Sequence, residues 1–298
     1  MNLQFLEDML VLLEEGSLNR AAARRNVTQP AFSRRVRAVE DWIGTPLLDR
    51  GANRVELLPS LVANEDEIKS LVQRIDELKQ NLVNFDKEQV TISIATQHAL
   101  ILSAFPDMVA LARNSFPNLN FRLRAGNNSE CVSMFLRGDA SMLLRYEDQH
   151  TRQMAFDQSV ERHEWGKDSL VPVVGGGLRH LKIEGAEIPE NTPAIVYPPD
   201  SYFGSLLLAE GKNFALRRTA GNTVLESAFS AGIKEMALAS LGIAWLPLSM
   251  VYRELEAGKL ADLSALLGSC DLTIAFYINS GDRESRLIKS VWSKTRFE

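Results

Sequence analysis

SLNRAAARRNVTQPAFSRRVRAVE, residues 17–40, is the stretch on which the reading of this chain turns. It holds six arginines (Arg20, Arg24, Arg25, Arg34, Arg35 and Arg37) and no acid before Glu40. The whole chain is acidic, with 33 Lys+Arg against 38 Asp+Glu, so a basic island points to a polyanion partner. Apolar spacing resolves the stretch into two short helices. Ser17 stands as N-cap of a helix with Leu18, Ala21 and Ala22 inside. Asn26-Val27 makes the turn, because Asn tolerates a left-handed backbone. Thr28 caps the second helix and Pro30 falls in its first turn. Phe32, Val36 and Val39 recur at i, i+4 and i+7 as a buried stripe. Pro30, Ser33, Arg34 and Arg37 face the other way, with Thr28 and Gln29 at the exposed start. A polar, basic face opposite a packed one suits a helix in the major groove of DNA.

Residues 3–15 form a supporting helix with Phe5, Leu6, Met9, Leu10 and Leu13 on one side. After the second helix, Trp42, Ile43, Leu47 and Leu48 are expected to close a small core, with Gly44 and Pro46 at the turn. Gly51-Ala52-Asn53 is a turn and Arg54–Leu57 a short strand.

The run Ala21-Ala22, Val27-Thr28-Gln29-Pro30-Ala31-Phe32-Ser33, Val36, Val39-Glu40, Gly44, Leu47-Leu48 and Arg50 resembles the winged helix-turn-helix of LysR-type transcriptional regulators. The resemblance implies double-stranded DNA as a partner, with Thr28, Gln29, Pro30, Ser33, Arg34 and Arg37 on the recognition surface. It also implies a wing whose Arg50 and Arg54 contact phosphate or the minor groove. One departure is local: the family's Leu-Thr pair and following Gly are replaced here by Leu57-Leu58-Pro59-Ser60-Leu61.

Residues 60–88 read as one long helix. Leu61, Ile68, Ile75 and Leu82 lie seven apart, and Leu71, Leu78 and Phe85 form a second row, interrupted by Asn64. Such a seam packs either on its own chain or on a second subunit. The resemblance favours the second, through an antiparallel pair of linker helices that makes a dimer, with a tetramer beyond it.

From residue 90, strands and helices alternate, as in an open α/β sheet. Strands are expected at 90–96, 120–124 and 141–146, with helices between them, one over 129–137. Further on, strands are expected at 170–174, 194–197, 214–219 and 242–246. Helices are expected at 201–210, 224–241, 248–256 and 283–297. Leu241-Gly242-Ile243-Ala244-Trp245-Leu246-Pro247 matches the family's late Gly-Ile-Ala-x-Leu-Pro run. The chain thus resembles an α+β multidomain protein. A winged helix-turn-helix (1–58) and a linker helix (59–89) precede a two-lobed α/β effector-binding domain like the periplasmic solute-binding proteins. Lobe 1 would take 90–163 and 266–298, and lobe 2 would take 164–265.

Small ligands in open α/β sheets bind beyond the carboxyl ends of strands. That rule selects Thr96, Gln97 and His98, then Arg145 and Tyr146, then Tyr197, Ser201 and Tyr202, and lastly Asn222 and Thr223. Thr96 resembles the hydroxyl that family members set against an effector carboxylate, and Arg145 would add a bidentate charge, so an anionic or polar effector is expected. Each has a structural alternative. Thr96 could cap its helix, His98 could be a satisfied buried imidazole, Arg145 could pair with Glu147 or Asp148, and the tyrosines could line the lobe interface. Gln97–Leu100, Ser201–Gly204 and Gly242–Pro247 resemble the hypochlorite-responsive subgroup. Phe203 and Phe229 stand where its oxidisable methionines are expected, which favours a bound metabolite over oxidant sensing.

Length and composition (298 residues, 45% apolar) allow two or three packed units. No run approaches 18 uncharged apolar residues, and the start carries acids early, so a membrane span, a signal peptide and membrane partners are not expected and a cytoplasmic location is. The two cysteines and four histidines are scattered, so neither a metal nor a cofactor is expected. No phosphate loop or nucleophile elbow proposes an enzyme. A solute-binding protein without DNA function would lack residues 1–58.

Overall fold

Three helices build the N-terminal part from the apolar spacings described: α1 (Leu3–Glu15), α2 (Leu18–Arg24) and α3 (Gln29–Ile43). The computed structural model describes residues 3–49, 56–83, 90–148, 156, 159–180, 189, 192–209, 223–280 and 283–292. The chain divides into two compact units, Met1–Glu88 and Gln89–Glu298.

In the first unit, Ser17 and Thr28 stand at the N-caps of α2 and α3, though neither side chain makes a capping bond. Asn26 adopts the left-handed conformation (φ 54°) that the turn requires. Ala21, Ala22, Phe32 and Val36 are buried with Leu12 and Leu48. Two short strands, β1 (Leu48–Asp49) and β2 (Glu56–Leu57), pair antiparallel. The buried Glu40 carboxylate fixes their base, accepting from the amides of Leu47 at 2.9 Å and Leu48 at 3.3 Å. Trp42 and Ile43 do not close this core: they are 58% and 42% exposed. The left-handed Gly44 ends α3 and the chain doubles back, so Leu47 and Leu48 fill the space.

The expected linker helix is two helices, α4 (Pro59–Ala63) and α5 (Glu65–Val83). Asn64 separates them with φ −104° and ψ 12°, its side-chain amide donating to the Ser60 carbonyl at 2.8 Å. An Asn that bonds its local backbone competes with the helix ladder. Leu61 and Ile68 are buried with Leu6 and Met9, and Leu71, Val72 and Ile75 join them. The first half of the seam is therefore satisfied by α1 of the same chain. Leu78 and Leu82 stay 58% and 67% exposed, and Phe85 lies outside the described residues.

The second unit is a mixed sheet. Parallel β3 (Val90–Gln97), β4 (Leu119–Gly126) and β5 (Met142–Glu147) form one side, with β3 between the other two. Against β5 runs the antiparallel β11 (Cys270–Asn279), and against β11 the 16-residue β6 (Val160–Gly175). Beyond residue 170, β6 pairs with β9 (Ala244–Pro247) and β10 (Leu260–Asp262). The strand expected at 170–174 is thus the far end of a much longer one. Its polar first half is held by the β11 ladder, and tertiary pairing overrides composition there.

Helices α6 (His98–Leu102), α7 (Phe105–Ser115) and α8 (Asn128–Leu136) belong to the first lobe, with α13 (Arg283–Trp292) against α7. The second lobe holds the parallel pair β7 (Ala194–Val196) and β8 (Thr223–Glu226), with α9 (Tyr202–Ala209), α10 (Ser230–Leu238), α11 (Leu248–Glu256) and α12 (Ser264–Leu267). The helix expected at 224–241 is a correction: its first residues form β8, and the helix starts only at Ser230. Val224 and Leu225 extend beside β7, and a turn at Ser227 separates the two elements. The strand expected at 214–219 lies outside the described residues.

Candidate nucleic-acid surface and ligand cleft

On α3, burial follows the predicted stripe. Thr28, Gln29, Pro30, Arg34 and Arg37 are exposed and Ser33 is half-buried, while Phe32, Val36 and Val39 are buried. The arginine island is divided by its partners. Arg24 pairs with Glu14 at 2.6 Å and Glu15 at 3.1 Å, and Arg20 also reaches Glu15, at 3.7 Å. Arg25 holds Glu7 at 2.8 Å and the buried Asp8 at 2.7 Å, and Arg35 approaches Asp8 at 3.5 Å. Four arginines are thereby tied to acids of α1. Arg34 and Arg37 have no ion pair or hydrogen bond among the described residues and point their full charge at solvent. The acids Glu7-Asp8 and Glu14-Glu15 stand in the sequence of α1 as the signal for this division. Arg50 and Arg54 lie outside the described residues.

In the second unit, a cleft of about 850 Å³ opens where β3, β4, β7 and β8 end. Gln97, His98, Tyr197, Ser201 and Tyr202 line it, as the carboxyl-end rule expects. The same rule holds at the end of β4, where Gly126–Glu130, absent from the expected contacts, lines the same space. There Asn127 and Glu130 form a capping box at the start of α8: the Glu130 amide donates to Asn127 Oδ1 at 2.9 Å, and the Asn127 amide to Glu130 Oε2 at 2.7 Å. Asp200, Phe203, Ser205 and the segment Ala228–Ser230 complete the wall. His98 and Phe229 meet edge-on across the mouth, ring centres 6.0 Å apart.

Four expected contacts are elsewhere. Thr96, Arg145 and Tyr146 are wholly buried and do not line the cleft. Central strand β5 is covered on both faces, so its alternate side chains enter two cores rather than a cavity. Tyr146 shares one core with Leu144. Its hydroxyl donates to Asp168 Oδ2 at 2.9 Å and lies 3.1 Å from Ser103 Oγ. Burial, then the Asp168 charge, hold its pKa well above the ordinary tyrosine value. Arg145 donates to the Tyr146 carbonyl at 3.3 Å and does not line the cleft, and Glu147 pairs with Arg162 at 2.5 Å. Thr96 caps nothing: its Oγ1 is buried with no partner among the described residues, and the N-cap of α6 is Gln97. Thr223 is exposed beside a separate pocket of about 190 Å³, and Asn222 lies outside the described residues.

Comparison with known proteins places both units. The family model for the bacterial regulatory helix-turn-helix protein of the lysR family matches residues 3–60, and the model for the LysR substrate binding domain matches residues 86–295. This chain belongs to the LysR family. The Escherichia coli strain K12 regulator YjiE is 29% identical over 268 residues, which is 88% of this chain and 83% of that protein. The solved structure of Vibrio fischeri DarR in complex with DNA is 26% identical with a TM-score of 0.61, covering 98% of this chain and 97% of that one. Full-length HypT of Salmonella typhimurium, described as a hypochlorite-specific LysR-type regulator, is 25% identical with a TM-score of 0.56, covering 98% of each chain. This LysR-type protein is a DNA-binding transcriptional regulator with an effector-binding domain. Among its described residues no helix is long and apolar enough to cross a membrane.

Proposed function

We propose that this regulator reads operator DNA with α3, using Thr28, Gln29, Pro30, Ser33, Arg34 and Arg37, and answers to a small polar metabolite in the inter-lobe cleft. The observation that carries the DNA reading is the division of the arginines: α1 neutralises four, and Arg34 and Arg37 remain on the face opposite the buried stripe. Base-edge contacts from that face specify sequence, and Arg50 and Arg54 of the wing add phosphate contacts. Leu78 and Leu82 form a self-association surface, giving a dimer and then a tetramer, in which residues 1–58, 59–89 and the two lobes act as separate parts. A ligand that favours one lobe arrangement shifts how paired DNA-binding units meet their half-sites.

A bound metabolite suits the cleft better than oxidation. Phe203 and Phe229 occupy its wall, and the Cys131 thiol is pushed up to about 12 by burial, so the reactive thiolate is scarce at neutral pH. The test is fluorescence anisotropy of the full chain on a labelled duplex from its own promoter, at two salt concentrations. Binding that weakens steeply with salt and loses sequence preference in Arg34→Ala supports the reading. Unchanged preference in both Arg34→Ala and Arg37→Ala removes α3 as the recognition helix.

A further inference from the structure

We propose that the effector is a zwitterion carrying a carboxylate and an ammonium group, of which an α-amino acid is the simplest, and that Gln97 determines specificity for its carboxylate. The inference rests on the cleft reading above and adds the ligand's chemistry. The polar groups of the cleft are sorted by depth. Gln97, only 7% exposed, lies at the floor. Its Oε1 accepts the Tyr146 amide proton at 2.7 Å, and its Nε2 has no partner among the described residues. The amide cannot turn over, because that would set its NH₂ against a backbone N–H. Gln97 therefore offers the cleft donors alone. Helix α10 begins on the same cavity, and Phe229 at its N-cap makes no side-chain cap bond, which leaves first-turn N–H groups and a positive dipole end available. A carboxylate answers both.

The rim is opposite in character. Glu130 from the first lobe and Asp200 from the second are exposed and face the same space. One Glu130 oxygen accepts from Asn127, and Asp200 has no ion pair among the described residues. Neither Lys nor Arg lines the cleft among the described residues. Both carboxylates line one cleft from different lobes, so an ammonium group bound there is attracted by two negative charges, and a ligand that engages both lobes favours the closed arrangement. A plain carboxylic acid would meet two carboxylates at the rim, and a plain amine would leave the buried Gln97 donors unanswered.

The probes are the twenty common L-amino acids, with matched carboxylic acids lacking the amine and matched amines lacking the carboxyl. A neutral sugar and inorganic phosphate serve as further probes. Melting temperature of the full chain is the readout, since a ligand that binds only the folded state raises it. At least one amino acid should raise it, with both truncated partners binding at least tenfold more weakly. Gln97→Glu keeps an acceptor for Tyr146 and replaces the donor, and should weaken that amino acid at least tenfold. Asp200→Asn, at the exposed rim, should weaken it severalfold without touching the core. Absence of any amino-acid shift, equal binding of a truncated partner, or unaltered affinity in both variants overturns the proposal. Ser205→Trp, which sets an indole in the cleft wall and obstructs it, separates the two readings. A carboxylic acid, amine, sugar or phosphate whose shift is lost in Ser205→Trp keeps the cleft and removes the zwitterion. A shift of any probe that survives Ser205→Trp removes both.

Discussion

The side-chain carbonyl of Gln97 accepts the backbone proton of Tyr146 at 2.7 Å, just beyond the point where β3 and β5 stop pairing at Thr96 and Leu144. The β3–β5 register ends at Thr96 and α6 starts at His98, so the acceptor for that proton does not come from the strand ladder. The glutamine side chain supplies it. The Tyr146 hydroxyl then donates to Asp168 on β6, which also accepts the Ser249 amide at 3.1 Å and the Ser249 hydroxyl. A polar chain thus runs from the cleft wall through the first lobe to the start of α11 in the second.

Gln97→Met should expose the value of that link. It leaves the buried Tyr146 N–H without an acceptor, and an orphaned buried donor costs about 1–3 kcal/mol. Urea denaturation of the full chain should show the loss in the transition of the second unit. Gln97→Glu should be much closer to wild type at neutral pH, because the carboxylate still accepts. Equal destabilisation by the two variants would mean the hydrogen bond contributes little.

Arg34 and Asp8 should separate recognition from folding. Arg34→Ala removes an exposed, unpaired charge from α3, so stability should stay within about 0.5 kcal/mol of wild type. Operator discrimination should fall by about 1–3 kcal/mol if the guanidinium reads a base pair. Asp8→Asn removes the buried partner of Arg25 and Arg35 and should destabilise the N-terminal unit by about 1–3 kcal/mol. Anisotropy titrations beside thermal melts check both. A large melting change in Arg34→Ala would contradict its unpaired position.

Much of this was legible in the residues. The spacing of Phe32, Val36 and Val39 placed α3 and its outward face, since helical period and burial are the same information seen twice. The carboxyl-end rule brought Gln97, His98, Tyr197, Ser201 and Tyr202 to one cleft. It failed at Thr96, Arg145 and Tyr146 because a strand end fixes position along the sheet, not which layer the side chain enters. An arginine on β5 is buried because other elements pack on both faces of that central strand, and no local pattern records them. The division of charge on the arginine island was hidden likewise: α1 approaches α2 and α3 only once folded. Asn64, seen as a flaw in a heptad seam, proved to be where the helix breaks.

Cys131 and Tyr277 predict the alkaline limit of the second unit. Burial raises the Cys131 thiol from 9.0 to about 12. Burial and then the hydrogen bond to Glu147 raise Tyr277 from 10.0 to about 12. Both folded values exceed the unfolded ones, so the folded chain holds these protons more tightly. The associated stability is complete below about pH 9 and is lost as pH rises from there toward 12. Thiol labelling should leave Cys131 unmodified in the native protein at pH 8 and reach it in urea. Cys131→Ser should shift the alkaline midpoint upward. Fast native labelling would contradict the burial.

Leu78 and Leu82 predict how the protein assembles. The seam of α5 changes character along its length: Ile68 is buried with Met9 and Leu6, Ile75 packs beside them, and Leu78 and Leu82 remain exposed on the continuing helix. Two leucines four apart on a helix form a contiguous apolar strip, and strips of this kind mark association surfaces when they extend a packed seam. A second α5 has the matching strip, and the charged residues along the same helix, such as Lys69 held by Glu65 at 2.6 Å, keep the other faces soluble. Leu78→Lys with Leu82→Lys should therefore lower the oligomeric state in sedimentation equilibrium while leaving the melting of the N-terminal unit nearly unchanged, because neither side chain contributes to its core. Operator affinity should fall with assembly, since two half-sites must then be bound by separate subunits and the gain in effective concentration is lost. Ile68→Lys is the contrasting case. It disrupts the packing on α1, so it should unfold the N-terminal unit instead of merely separating subunits. An unchanged sedimentation profile in the double lysine variant would place self-association elsewhere on the chain.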